Sequence, residues 1–425
     1  MLLPKHEDQK RRLNIKSWGN VAKLFYTYTR LSNIESTMDF KSDDILAAIP
    51  RMLWPQYDWQ LGYENMFRFG RAWHVYATPQ GKKAFRSKHG IDLDIFIKAA
   101  FGVFAATEYY PAARPDLLSS LNITKHQAHL LRCAIGQTVT GHAKLARASW
   151  TAGVPRDFQR SITKERPLFE ATAAGRVVYF VPSRSNLLLR VTDGLYYDIV
   201  SDDYARVSSG EAFEGLCLKL AKLYFNDTCL VQTERATSYG KSADIIVESN
   251  SGANGLIIEC KIRRIPERVL TSPDPWANHA KDFEDIIKGI FQIWRTHKEY
   301  YHTKTRKMTG IVVQYDPWTI ASNTLVESIF KAAHAKADQV GIPQSDRIPV
   351  ALAGYVDVER SFRASTLDGL QAAICSCCTD RFRGFELFTV VKEINRDEMR
   401  KESRLDYSRL AGDAVPWFRN PAAET

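Results

Sequence analysis

The chain has 425 residues, 45% hydrophobic and 25% charged, which is the balance of a globular protein with ample core and a length that predicts two or three domains. No run of 18 apolar residues occurs, residues 1–16 are basic without an apolar signal core, and seven scattered cysteines give an odd count. These features argue against a membrane span and a disulfide framework, and a cytoplasmic protein is expected. The net charge of +10 is uneven, with 28 Lys and Arg against 17 Asp and Glu in residues 1–200, but 30 against 31 in residues 201–425. So basic an N-terminal half suits a polyanionic partner.

In chain order, periodicity predicts helices over 43–53, 64–77, 91–109 and 125–148, the last capped by Thr124. Residues 121–132 read either as a helix-turn-helix start or as an ordinary helix. Between Trp54 and Trp73 aromatics alternate with Arg68 and Arg71, and Lys82, Lys83, Arg86 and Lys88 follow. Phe67, Trp73 and Tyr76 read as helix core. The basic cluster is open between a phosphate-contact surface and a solvated turn.

Strand patterns follow over 176–181 and 186–197, with Asp193-Gly194 as a hairpin signal. Ser208-Ser-Gly210 marks the expected entry to a C-terminal unit. Within it, 209–225 reads as a helix, 230–234 as a strand, 281–300 as a helix and 310–315 as a strand. Then come a helix over 323–340, a strand over 349–358, a helix over 366–378 and a strand over 385–394, before a charged helix and tail. Cys375-Ser-Cys377-Cys378 lacks a second ligand group at zinc spacing and reads as packed helix cysteines. The expected organisation is a basic helical domain over 1–170, a small β connector over 171–207, an α/β domain over 208–394 and a tail over 395–425.

The chemistry concentrates in Ser242-Ala-Asp244-Ile-Ile-Val and Gly255-Leu-Ile-Ile-Glu259-Cys-Lys261, two apolar runs joined by a turn-forming stretch. A hairpin symmetric about Ser251 and Gly252 sets Asp244 opposite Glu259, and Glu259 and Lys261 share a strand face. Facing Cβ atoms lie about 4.5–5.5 Å apart, so two carboxylates meet there, and their repulsion calls for a hard cation with oxygen ligands, Mg²⁺ or Mn²⁺. Ile245, Val247, Leu256 and Ile258 point to the opposite face, expected to be the buried one. Of three acid-x-Lys tripeptides, Asp8-Gln-Lys10, Asp39-Phe-Lys41 and Glu259-Cys-Lys261, only the last ends an apolar strand.

The helix–three strands–helix–strand order resembles the PD-(D/E)xK nuclease superfamily. Gly210-Glu-Ala-Phe213-Glu214 and Glu259-Cys-Lys261 are similar to the Gly-x-x-Phe-Glu helix and Glu-Cys-Lys strand of Mrr-like restriction endonucleases. The usual Pro-Asp is absent, since Ala243 precedes Asp244. The resemblance implies a restriction-endonuclease-like αβββαβ core behind a mostly α-helical N-terminal domain. It also implies Glu214, Asp244, Glu259 and Lys261 as catalytic groups, with the metal on Asp244, Glu259 and the Cys260 carbonyl. Gln292 is the candidate substrate-facing glutamine, Thr296 stands where some members carry Tyr, and Lys288 and Arg295 share the Gln292 helix face, which reads equally as backbone-phosphate contacts or as a solvated face with Asp285 and Lys288 paired.

The expected activity is metal-dependent phosphodiester hydrolysis, on DNA in preference to RNA. A role in anti-phage defence is implied by the resemblance, the N-terminal domain sensing nucleic acid or a phage protein. An RNase-type toxin acting on tRNA and a non-catalytic nucleic-acid-binding module are the alternatives. No membrane partner is expected, and a homo-oligomer is compatible with the sequence.

Overall fold

The computed structural model describes residues 65–395 except 109, 115, 151–160, 174–175, 234–235, 238–239, 267–268, 270–271, 273, 303–305 and 316–322, together with positions 23, 26, 27, 405 and 407. The readings placed on residues 1–16, 39–41, 43–53 and 54–64 lie outside the described residues, as does the final helix and tail apart from Leu405 and Tyr407.

The N-terminal part is mainly helical: α1 Asn65–Tyr76, α2 Pro79–His89 and α3 Leu93–Ala106. The Thr78 hydroxyl accepts the Gly81 N–H to start α2, and Gly90, at φ 69°, ends it. A short strand, β1 Ala112–Ala113, precedes α4 Lys125–Ile135, whose Thr124 and Gln127 form a reciprocal capping box. The single helix expected over 125–148 is instead broken by strand β2 Gly136–Thr138 before α5 Val139–Ala148, where Thr138 caps a second start. With β3 Leu168–Ala173 and β4 Arg176–Phe180 these strands form a small mixed sheet ordered β1-β4-β3-β2.

Residues 186–197, expected as a strand pair, are helical: α6 Arg184–Val191 and α7 Leu195–Ile199. Ser183 caps α6 by accepting the Asn186 N–H, and Leu187, Leu188, Val191, Leu195 and Ile199 recur at helical spacing and are buried. Asp193-Gly194 therefore turns between helices. The next helix, α8 Asp203–Phe225, starts six residues before the expected 209, because Asp202 accepts the Ala205 N–H at 2.9 Å. Ser208 and Ser209 lie inside it.

The larger sheet comprises β5 Cys229–Thr233, β6 Ile245–Ser249, β7 Asn254–Lys261, β8 Lys307–Gln314 and β9 Val350–Gly354, ordered β9-β8-β7-β6-β5. The first three strands in sequence run as an antiparallel meander. Helix α9 Glu284–Tyr300 crosses over to β8, parallel to β7, and α10 Asn323–Gln339 crosses to β9, parallel to β8. Beyond β9 lie α11 Tyr355–Ala364, α12 Leu367–Cys377 and α13 Leu387–Ile394. The strand expected over 349–358 thus gives way to helix at Tyr355, and the one expected over 385–394 is α13. The Asp357 carboxylate accepts the Leu387 and Phe388 N–H groups at 2.9 and 2.7 Å, capping α13 from a distant part of the chain.

Both faces of the sheet are covered. Ile245, Val247, Leu256, Ile258 and Cys260 pack with Phe213, Leu216 and Leu220 of α8, in one continuous core that also holds Phe69, Tyr76 and Phe96 of the first helices. Ile246, Ile257 and Val312 pack with Ile286, Ile290, Ile293 and Trp294 of α9 and Ile329 of α10. The face carrying Glu259 is therefore buried as well as the opposite one. Among the described residues no helix is long and apolar enough to cross a membrane.

Candidate functional site

The hairpin register pairs Ile245 with Ile258, Ile246 with Ile257 and Val247 with Leu256. Asp244, one residue before β6, is thereby set level with Glu259. Its Oδ2 accepts the Cys260 main-chain N–H at 2.7 Å, which holds the carboxylate across the strand ends. The Cys260 thiol points into the opposite core, where the neighbouring Cys217 thiol and burial hold it protonated.

Helix α9 fastens this end of the sheet through one turn. The Thr296 hydroxyl accepts the Ala243 N–H at 2.8 Å, fixing the backbone just ahead of Asp244, and donates to the Gln292 carbonyl. The Gln292 side-chain oxygen accepts from Lys261 Nζ at 3.1 Å. Gly289 lets the helix come this close, because a Cβ there would meet Val312 at 3.1 Å and Glu259 Cγ at 3.4 Å.

Lys261 Nζ also donates to Glu259 Oε1, forming an ion pair. The other oxygen, Oε2, is buried without a hydrogen-bond donor, and Glu259 as a whole is 1% exposed. Burial, followed by the Asp244 charge, pushes Glu259 up to about 8, with Glu214 adding to the rise and Lys261 opposing it. Burial alone pulls Lys261 down, but Glu259, Asp244 and Asp285 outweigh it, so the ammonium is held above its ordinary value. One lysine therefore does not offset burial and the crowding of acids, and without a cation Glu259 holds its proton at neutral pH.

Glu214 is half-buried on α8 and lies near enough for its charge to bear on Glu259, whereas Glu211 is exposed. The structure thus gathers Asp244, Glu259, Lys261, Gln292 and Glu214 at one end of the sheet. Lys288 is not drawn in; it is half-exposed, 3.5 Å from Glu284 and 3.9 Å from Asp285. Arg295 is half-buried on α9. Arg263, two residues beyond Lys261, pairs with Asp285 at 3.1 Å, an arrangement the tripeptide pattern did not reveal. Thr296, which stands where some members of the resembling family carry Tyr, instead anchors the backbone ahead of Asp244, and its i+4 spacing from Gln292 is the sequence sign of that role.

The N-terminal basic cluster proves largely ion-paired. Lys82 bonds Asp94 and lies over the Trp73 ring, Arg86 reaches Asp92 at 3.1 Å, and Lys88 reaches Asp198 at 3.0 Å. Arg68 and Arg71 are buried against Asp193 and Glu359, and Trp73 and Tyr76 belong to the core.

Among the described residues no group of three or more His, Cys, Asp or Glu side chains is arranged to hold a metal ion. Asp244 and Glu259 form a pair, which suits a hard cation that retains water ligands. The donor-less Oε2 of Glu259 is the kind of atom such a cation satisfies. No family model matches the chain, and neither a curated protein nor a solved structure matches it.

Proposed function

We propose that the chain is a divalent-metal-dependent phosphodiesterase acting on nucleic acid, built on a restriction-endonuclease-like αβββαβ core formed by α8, β5, β6, β7, α9 and β8. The observation that carries this reading is the buried Glu259 carboxylate, beside Asp244 and in contact with Lys261, with one oxygen lacking a donor. A structural ion pair has no need of a second acid next to a buried carboxylate, since the surplus charge is destabilising unless something cationic joins it.

Asp244, Glu259 and the Cys260 carbonyl are the groups that would hold Mg²⁺ or Mn²⁺, and the ion supplies charge neutralisation at the phosphoryl group and a more acidic water. Lys261, kept protonated by its carboxylate neighbours, stabilises the negative charge that develops on the phosphorane oxygens. Gln292 steers the Lys261 ammonium, and Thr296 keeps the Asp244 turn in place. Glu214, at the margin, orients the attacking water through hydrogen bonding.

The test is incubation with plasmid, linear DNA and total RNA, with and without Mg²⁺ or Mn²⁺. Wild type is expected to cleave only with metal, DNA more readily than RNA, and Asp244→Asn and Lys261→Ala to lose at least about two orders of magnitude in rate while remaining folded. Undiminished cleavage by both variants would remove this site from the reaction.

A further inference from the structure

Beyond Lys261 the chain leaves β7 and runs through Ile262, beside Gly210 of α8, to Arg264. Three residues span at most about 11 Å, so Arg264 stays close to the lysine amine's strand end. There the Arg264 N–H donates to the Tyr196 hydroxyl at 3.3 Å, its guanidinium donates to the Asp193 carbonyl at 3.0 Å, and the same guanidinium lies 5.7 Å from the centre of the Tyr197 ring. Tyr196 packs edge-on against Tyr197, and Lys88 Nζ donates to the Tyr197 carbonyl at 2.9 Å. Tyr197 nevertheless keeps 58% of its surface exposed.

A large aromatic side chain left this open while its backbone and one flank are fixed is a poor packing element but a rigid platform. Resting on the phosphodiesterase reading, the geometry points to Tyr197, supported by Arg264, as the stacking surface for one unpaired base of the polynucleotide whose phosphate lies at Lys261. Aromatic rings accept any base face, and the guanidinium beneath adds cation–π attraction. With bases spaced about 3.4 Å along a strand, that upper limit keeps the Arg264 backbone within roughly three base steps of the Lys261 backbone. A base inside an intact duplex is already stacked on both faces, so the platform selects substrates with a single-stranded or opened segment next to the cleaved bond. Arg264 gives the neighbourhood positive charge for a phosphate chain, while Lys88, paired with Asp198 at 3.0 Å, fixes the Tyr197 backbone.

The experiment is fluorescence anisotropy without divalent cation, at a series of monovalent-salt concentrations shared by all proteins, using a labelled single-stranded oligonucleotide and its blunt duplex. Tyr197→Ala is expected to weaken single-strand binding about tenfold and leave duplex binding unchanged, while Tyr197→Trp retains wild-type affinity. Because Tyr197 makes no phosphate contact, the salt dependence should be the same in all three proteins. Wild-type single-strand affinity in Tyr197→Ala, or an equal loss on both probes, overturns the platform. The assay needs no cleavage, so the two readings fail separately. Selective single-strand loss in a chain that hydrolyses nothing leaves the platform standing and removes the enzyme; active cleavage with unaltered binding in Tyr197→Ala does the reverse.

Discussion

Glu259 pays for its position in every metal-free molecule. Its carboxyl titrates near the ordinary value of 4.5 in the unfolded chain and at about 8 in the folded one. Below pH 4.5 both states are protonated and folding carries no penalty; as pH rises toward 8 the unfolded chain sheds the proton more readily, and stability falls. Glu259→Gln removes that dependence. In chelator at pH 8 the variant should be more stable than wild type by an amount on the order of a few kcal/mol, with the gap closing near pH 4.5. Urea titrations at the two pH values check this, and a gap independent of pH would show that Glu259 is not the titrating group. The hairpin's contribution was plain from residue types alone, because a period of two and a symmetric turn leave little freedom in which side chains face each other. What the sequence could not display was that α9 would close over the same face, since that depends on Gly289 meeting Val312.

At the level of elements, alternation and helical spacing located the meander, both crossover helices and β8 within a few residues. The misreadings have physical causes. Residues 385–394 carry a β-branched apolar run, but Asp357, thirty positions earlier, supplies the acceptors that start a helix there. Residues 186–197 look alternating around Asp193-Gly194, yet Ser183 caps a helix and buried leucines follow its period. Local pattern cannot weigh the remote cap from Asp357, and at 186–197 the Asp193-Gly194 turn signal masks the local Ser183 cap. Asp357→Ala should therefore destabilise the protein by about 1–3 kcal/mol and speed hydrogen exchange in Leu387–Ile394 ahead of the sheet. Unchanged exchange in that helix would remove the cap from the account.

Across the whole molecule, the first helices, α8, one sheet face and α11–α13 share one apolar core running from Phe69 to Val391. Inside it the Arg68 guanidinium meets Asp193 at 2.8 Å with both side chains buried. Asp193→Ala would strand that arginine and should cost about 3–5 kcal/mol. The loss should appear as a lower midpoint of one cooperative transition; two separated transitions would contradict the shared core. The basic N-terminal half was legible as a charge excess, but its cluster at Lys82, Arg86 and Lys88 is spent largely on internal pairs, which composition does not show. The central claim is that Asp244, Glu259 and Lys261 surround a cation site, and the melting temperature with and without Mn²⁺ at pH 8 tests it most directly. A ligand that binds only the folded state raises that temperature. Mn²⁺ should raise it for wild type and leave Glu259→Gln and Asp244→Asn nearly unmoved. An equal rise in all three proteins would place the cation elsewhere and contradict the account.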